Sequence, residues 1–187
     1  MNPELNNKKG NTKLVLKTLV VAAALLAVFF IYISTKPDSY NVKYTEVLKA
    51  PITTVFATVN DFKTWENWNP SMKKGADIEI SYGDRTTGVG AEYSWESEKK
   101  GGGKMQTISL ETNKTIHQKI SFANQGESDV YWAFKEVTNG TEVTWAIKGE
   151  LNLIEKAGFF VIGGADLMFM PMLVNGIRNL DSYTQKK

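Results

Sequence analysis

The 187-residue chain has no cysteine and one histidine, His117. The first absence excludes disulfides, thiolate metal sites and a cysteine nucleophile. The second excludes any centre built on two imidazoles. Acidic residues show no calcium-type spacing, so no metal and no cofactor is expected. A net charge of +2 is too small to mark a nucleic-acid surface. Nucleic acid is therefore not an expected partner. What charge asymmetry exists lies at the N-terminus, where Lys8, Lys9, Lys13 and Lys17 face only Glu4.

That basic stretch precedes a long uncharged run. Residues 18–35 read TLVVAAALLAVFFIYIST. With Leu14–Leu16 the run reaches about 20 residues, the length that crosses a bilayer core as a helix. A cleaved signal peptide is the competing reading, but its apolar core is usually about 7–15 residues and ends in small residues. Here the run is longer and ends in bulky FFIYI. The lysines before the run outnumber those after it, which sets the N-terminus in the cytoplasm. The expected organisation is a cytoplasmic tail (1–13), an uncleaved transmembrane signal anchor (14–35), a linker (36–41) and an extracytoplasmic domain (42–187).

From residue 42 the pattern is that of an α+β domain. VKYTEVL (42–48) alternates as a strand does. Pro51 suits the first turn of a helix, and Ile52, Val55, Phe56 and Val59 follow at helical spacing. Asn60-Asp61 stops that helix and caps a second short one, with Trp65 and Trp68 three residues apart on one face. Six further strands are expected at 76–82, 89–97, 105–111, 115–122, 129–137 and 141–150, short and rich in β-branched and aromatic residues. Asn139-Gly140 predicts a two-residue hairpin with positive φ at both positions. The tail turns helical, interrupted at Gly163-Gly164, with Pro171 expected to open the final helix. Leu173, Gly176, Ile177, Leu180 and Tyr183 share one face of it, and Gly176 would let the helix approach the sheet closely.

Four motifs recur along this order: APxxxVFxxVNDFxxWxxWNP (Ala50–Pro70), GxGAxYSW (Gly88–Trp95), GTxVTW (Gly140–Trp145) and GIxNL (Gly176–Leu180). With the element order, they resemble the START-like helix-grip superfamily, most closely its SRPBCC or polyketide cyclase-like members. The resemblance covers residues 42–185. It implies a seven-stranded curved antiparallel sheet around a long C-terminal helix, with two short helices after the first strand. It also implies a cavity between sheet and helix, often for an apolar ligand.

Alternation assigns the side chains to faces. Val89, Ala91, Tyr93 and Trp95 share the inward face of one strand, and Ile116, Gln118, Ile120 and Phe122 that of another. Val130, Trp132 and Phe134, and then Val143, Trp145 and Ile147, form two more inward sets. His117 falls on the outer face, as do Glu79, Glu92, Glu96, Glu142 and Lys148. No inward carboxylate pair is available for acid–base chemistry. Helix capping accounts for Asp61 and Asp166. GVGAEY and GGGK lack the spacing of nucleotide loops.

The expected ligand contacts are Trp65, Trp68, Tyr82, Tyr93, Trp95, Gln118, Trp132, Trp145, Met168 and Met172. The partners are then a small hydrophobic molecule or lipid, and the membrane through the N-terminal helix. Phe159–Met172, FFVIGGADLMFMPM, reads first as core, with an adaptable ligand mouth and bilayer contact as alternatives. The expected function is ligand binding without catalysis. The competing readings are a cyclase-like enzyme, with Tyr93 or Gln118 orienting its substrate, and a membrane-tethered interaction scaffold.

Overall fold

The computed structural model describes residues 3–72, 78–98, 101–123 and 126–186, with side chains from residue 13 onward. Helix α1 (Pro3–Ser34) opens the chain. Its Lys13–Ser34 stretch is long and apolar enough to cross a membrane by length and composition, a test that an N-terminal signal sequence also passes. Most of its side chains are exposed, but Phe29 is half-buried and Ile33 fully buried.

Strand β1 (Ser39–Leu48) follows, then α2 (Ile52–Asn60) and two short 3-10 turns, Phe62–Asn67 and Pro70–Met72. Strands β2 (Glu79–Tyr82), β3 (Glu92–Glu96), β4 (Gly103–Glu111), β5 (Thr115–Phe122), β6 (Glu127–Val137) and β7 (Gly140–Glu150) come next. Helices α3 (Leu153–Val161) and α4 (Ala165–Thr184) end the chain. The seven strands form one antiparallel sheet in the order β1-β7-β6-β5-β4-β3-β2. Six strands are therefore sequential neighbours, and β1 closes against the last of them. This is the α+β helix-grip expected.

One face of the sheet carries the core. β6 and β7 alternate strictly, burying Val130, Trp132 and Phe134, and Val143, Trp145 and Ile147. Across them lie Val55, Phe56 and Val59 of α2 and Leu173, Ile177 and Leu180 of α4. Gly176 faces Trp145 so closely that an added Cβ would sit 2.5 Å from the indole ring. The helix reaches the sheet there because the residue has no side chain.

Several elements differ from expectation. α4 begins at Ala165, so Pro171 lies inside it rather than at its start. An interior proline costs about 3 kcal/mol. Burial of Phe169, one turn from the helix start, returns about 1.5–3 kcal/mol. The hairpin at Asn139-Gly140 has positive φ at Gly140 alone. The strand expected at 89–97 shortens to β3 because Gly88 and Gly90 both take positive φ; Val89, expected inward, is 52% exposed. Residues 76–77 of the expected second strand lie outside the described residues. β1 starts at Ser39, three residues early, because its ladder with β7 runs on to Glu150. This shortens the connection after α1 to Thr35–Asp38. The Leu151 N–H donates to the Asp38 carbonyl at 2.7 Å, and the buried Lys156 ammonium of α3 pairs with the Asp38 carboxylate.

Candidate functional site

The grip has a closed end and an open end. At the closed end the 3-10 turn Phe62–Asn67 carries Trp65 inward, and Trp68, which caps the turn, is buried beside it. Asp61 starts that turn by accepting from the Lys63 N–H. Trp65, Trp68, Trp132 and Trp145 are each at most 2% exposed. Trp132 and Trp145 stack at 4.4 Å, and Trp65 and Trp68 meet them edge-on at 6.0–6.4 Å. The Trp65 indole N–H donates to the Val59 carbonyl at 2.8 Å. That of Trp68 donates to Thr64 Oγ1 at 3.3 Å, and Asn179 of α4 donates to the Trp68 carbonyl at 3.0 Å. Each indole removes about 150–250 Å² from water, roughly 4–6 kcal/mol of apolar transfer.

Among the described residues four buried side-chain atoms lack a hydrogen-bond partner: Thr58 Oγ1, Thr107 Oγ1, Gln118 Nε2 and Trp145 Nε1. Gln118 is fully buried and accepts from the Trp132 indole N–H at 3.1 Å through its oxygen, which leaves its Nε2 unmatched. A buried unpaired N–H costs about 1–3 kcal/mol. Each is a point at which an acceptor atom would be stabilised.

At the open end a cleft of about 570 Å³ lies between the sheet and the α3–α4 hairpin. Tyr40 is its centrepiece. In the ladder Tyr40 pairs with Gly149, and Gly149 with Ser128. The Tyr40 ring crosses over Gly149, and its hydroxyl reaches Ser128 Oγ at 2.7 Å. A Cβ on residue 149 would stand 2.6 Å from that hydroxyl, so the crossing needs glycine. Phe159 and Phe169 stack on the Tyr40 ring at 5.4 and 5.3 Å. Ile154, Ile162 and Met168 complete the outer wall, and Phe122 the sheet side. The cleft's polar margin is the α3 capping box, in which Asn152 Oδ1 accepts from Ile154 and Glu155, and Glu155 accepts from Asn152.

Of the ten ligand contacts expected from sequence, Met168 lines this cleft. Trp65, Trp68, Tyr93, Trp132, Trp145 and Gln118 form the closed end. Trp95 links the two, edge-on to the cleft residue Phe122 at 5.9 Å and 5.7 Å from Tyr93. Met172 is half-buried against the core. Tyr82 is half-buried and donates to Glu66 Oε1 at 2.6 Å. Sequence reasoning missed Tyr40 and Ser128, while Phe159 and Phe169 fall in the segment 159–172 read first as core, with a ligand mouth as an alternative. Tyr40 shares the inward parity of Val42 and Tyr44, so alternation extended two residues upstream would have found it.

The phenols of the interior are held protonated. Burial pushes the Tyr93 hydroxyl above the ordinary tyrosine range. Burial, then the Glu66 carboxylate, does the same at Tyr82, and burial raises Tyr40. A phenol so raised lies far from the neutral range at which a general base operates. On the outer face, His117 stacks on Tyr131 at 4.5 Å and pairs with Asp129 at 2.6 Å. Among the described residues, no three His, Asp or Glu side chains gather as metal ligands would.

The sequence pattern of the family described as polyketide cyclase / dehydrase and lipid transport matches residues 40–181. No curated protein matches the chain. Among solved structures, a protein of unknown function from Staphylococcus aureus is 13% identical, with a TM-score of 0.59 over 80% of this chain and 98% of its own. A protein from Rhizobium leguminosarum is 16% identical, with a TM-score of 0.58 over 80% and 96%. One from Chromobacterium violaceum is 12% identical, with a TM-score of 0.55 over 78% and 96%. At these identities the likeness is one of fold.

Proposed function

Since the chain belongs to the polyketide cyclase / dehydrase and lipid transport family, we propose that it is a membrane-anchored domain that binds a small hydrophobic or lipid-like molecule without catalysis. The observation that carries this reading is the cleft between Tyr40, Phe159, Phe169 and Met168. Its volume falls within the roughly 300–1,000 Å³ of small-molecule sites, and its walls are aromatic and aliphatic with few polar groups. Methionine at the wall suits ligands of irregular shape. The indole cluster with Tyr93 is the fixed floor of the grip. Trp95 and Phe122 lead from the cleft toward it, and Gln118 Nε2 and Trp145 Nε1 are the donors for a ligand's oxygen. Tyr82 and Met172 border the same interior. Helix α1 is the anchor, with its N-terminus in the cytoplasm and residues 36–187 on the far side.

Gly158 provides the test. It lines the cleft, and an added Cβ there meets no atom within 4 Å. Ile154 and Ile162, which also line the cleft, stand four residues before and after Gly158, so Gly158→Trp adds an indole to that face of α3 while keeping it helical. Native mass spectrometry of the full chain should show a co-purified apolar ligand. An apolar dye should bind the delipidated protein, be displaced by lipid, and bind Gly158→Trp far less. A protein that carries no ligand, and whose dye binding ignores Gly158→Trp, would sink the reading.

A further inference from the structure

The exposed positions of α3 and of the start of α4 are almost all apolar. Ile154 is 79% exposed, Val161 78% and Leu167 67%, with Phe160, Ile162 and Met168 about half exposed. Such a continuous apolar surface on a folded domain marks an interaction site. Within 153–168 the exposed charge is Asp166 alone, because Lys156 is buried on Asp38 and Glu155 is engaged in the capping box. α3 and α4 meet at 69°, so the patch forms the outside of an elbow. α4 cannot leave with it, since Phe169, Leu173, Ile177 and Leu180 hold that helix on the sheet.

The position of α1 says what covers this elbow. Phe160 of α3 packs edge-on against Phe29 at 6.1 Å and against Tyr32 at 5.7 Å. The apolar stretch Lys13–Ser34 is 22 residues, or about 33 Å of helix, against a hydrocarbon core of about 30 Å. It has almost no slack, so Phe29 must lie inside the core when α1 spans. Phe29 is five residues before Ser34, about 7 Å along the axis. Tyr32, the nearer neighbour of Phe160, is about 3 Å from Ser34 along the axis, so Phe160 lies between the depths of Tyr32 and Phe29, at the inner edge of the interface. A depth of roughly 5–10 Å is where interfacial amphipathic helices rest.

We propose that the α3–α4 elbow is seated in the same leaflet from which α1 emerges, making a second, monotopic contact with the bilayer. Ile154, Ile162 and Met168 belong both to the elbow and to the wall of the cleft. The cleft therefore opens into the acyl region, and its ligand is a membrane-resident amphiphile that enters sideways without crossing water. Asp166, in the first turn of α4, limits the depth by staying with the headgroups. This inference rests on the proposed anchor.

The lack of cysteine makes the test direct. Single variants Val21→Cys in α1, Val161→Cys and Leu167→Cys in the elbow, and Lys135→Cys on the outer face of β6 carry an environment-sensitive fluorophore. The full chain is reconstituted in phosphatidylcholine–phosphatidylglycerol vesicles with and without doxyl-labelled lipid. All four positions are exposed, and unchanged tryptophan emission confirms the fold. Labels at 161 and 167 should shift to the blue and lose most of their emission to doxyl lipid, as the label at 21 does, while that at 135 does neither. If 21 is quenched while 161 and 167 remain in water, the anchor stands and the elbow proposal falls. If 21 is not quenched, the anchor fails and the proposal with it. A blue shift at 161 that doxyl lipid does not quench means that protein, such as a second copy, covers the elbow, and this also overturns the proposal.

Discussion

Gly149→Ala tests the centre of the cleft. The added methyl would stand 2.6, 2.7 and 2.8 Å from Oη, Cζ and Cε1 of Tyr40. Atoms do not tolerate such distances, so either the ring leaves Gly149 or β7 shifts. If the ring leaves, the Tyr40–Ser128 hydrogen bond is lost, at about 1 kcal/mol. The two stacked contacts with Phe159 and Phe169 go with it, each worth about 0.5–1.5 kcal/mol. The expected destabilisation is therefore about 2–4 kcal/mol. Tyr40→Phe removes only the hydroxyl and should cost about 1 kcal/mol. The assay is urea unfolding of the full chain in detergent micelles, followed by tryptophan emission. All five tryptophans lie between residues 65 and 145, so α1 is silent in this readout. The double variant supplies the control. In a Tyr40→Ala background the methyl meets no ring, and Gly149→Ala should then be nearly neutral, a coupling that only contacting residues show. If Gly149→Ala costs no more than Tyr40→Phe, or the same in both backgrounds, the ring does not cross Gly149 and Tyr40 is not the centre of the cleft.

Two further outcomes follow from the core and its phenols. Gly176→Ala brings a methyl to 2.5 Å from the Trp145 ring. It should destabilise by about 1–3 kcal/mol of overpacking, less about 1 kcal/mol of helix propensity, where an exposed helical glycine would have gained. A thermal melt that rises would contradict the contact. Burial raises the Tyr93 pKa above its ordinary 10.0. The unfolded chain therefore loses this proton first. The contribution is complete below pH 10 and is lost as pH climbs from there toward the folded value, at up to about 1.4 kcal/mol per pH unit. Tyr93→Phe should flatten that slope in denaturant titrations above pH 10; an unchanged slope would place the phenol in water.

Local rules carried the fold a long way. Alternation placed Trp132, Trp145 and Gln118 inside and His117 outside, because a strand has two faces and one of them is buried. Gly176 was legible because it interrupts an apolar helical face. The positions that escaped depend on partners far along the chain. The inward parity of Tyr40 was within reach of alternation, but its role was not: Gly149 and Ser128 lie beside it in the ladder, and register between residues about a hundred apart has no local signature. Pro171 misled because propensity counts a missing hydrogen bond but not the burial of Phe169 two residues earlier. The elbow was only half legible. Its apolarity was plain, but which of its residues remain exposed depends on how Gly163-Gly164 turns the chain.

The stem between α1 and β1 has a consequence of its own. Only Thr35, Lys36, Pro37 and Asp38 separate the two elements. Four residues reach about 14 Å at full extension. Pro37 fixes one φ, and Asp38 is held at both its carbonyl and its carboxylate. On the proposed anchor such a domain has no reach. It cannot swing outward to sample the solution, and its search is confined to a plane. Encounters then scale with copies per unit area rather than per unit volume. Every copy carries its cleft at one height, so a donor or acceptor of ligand must present its own opening at that same level.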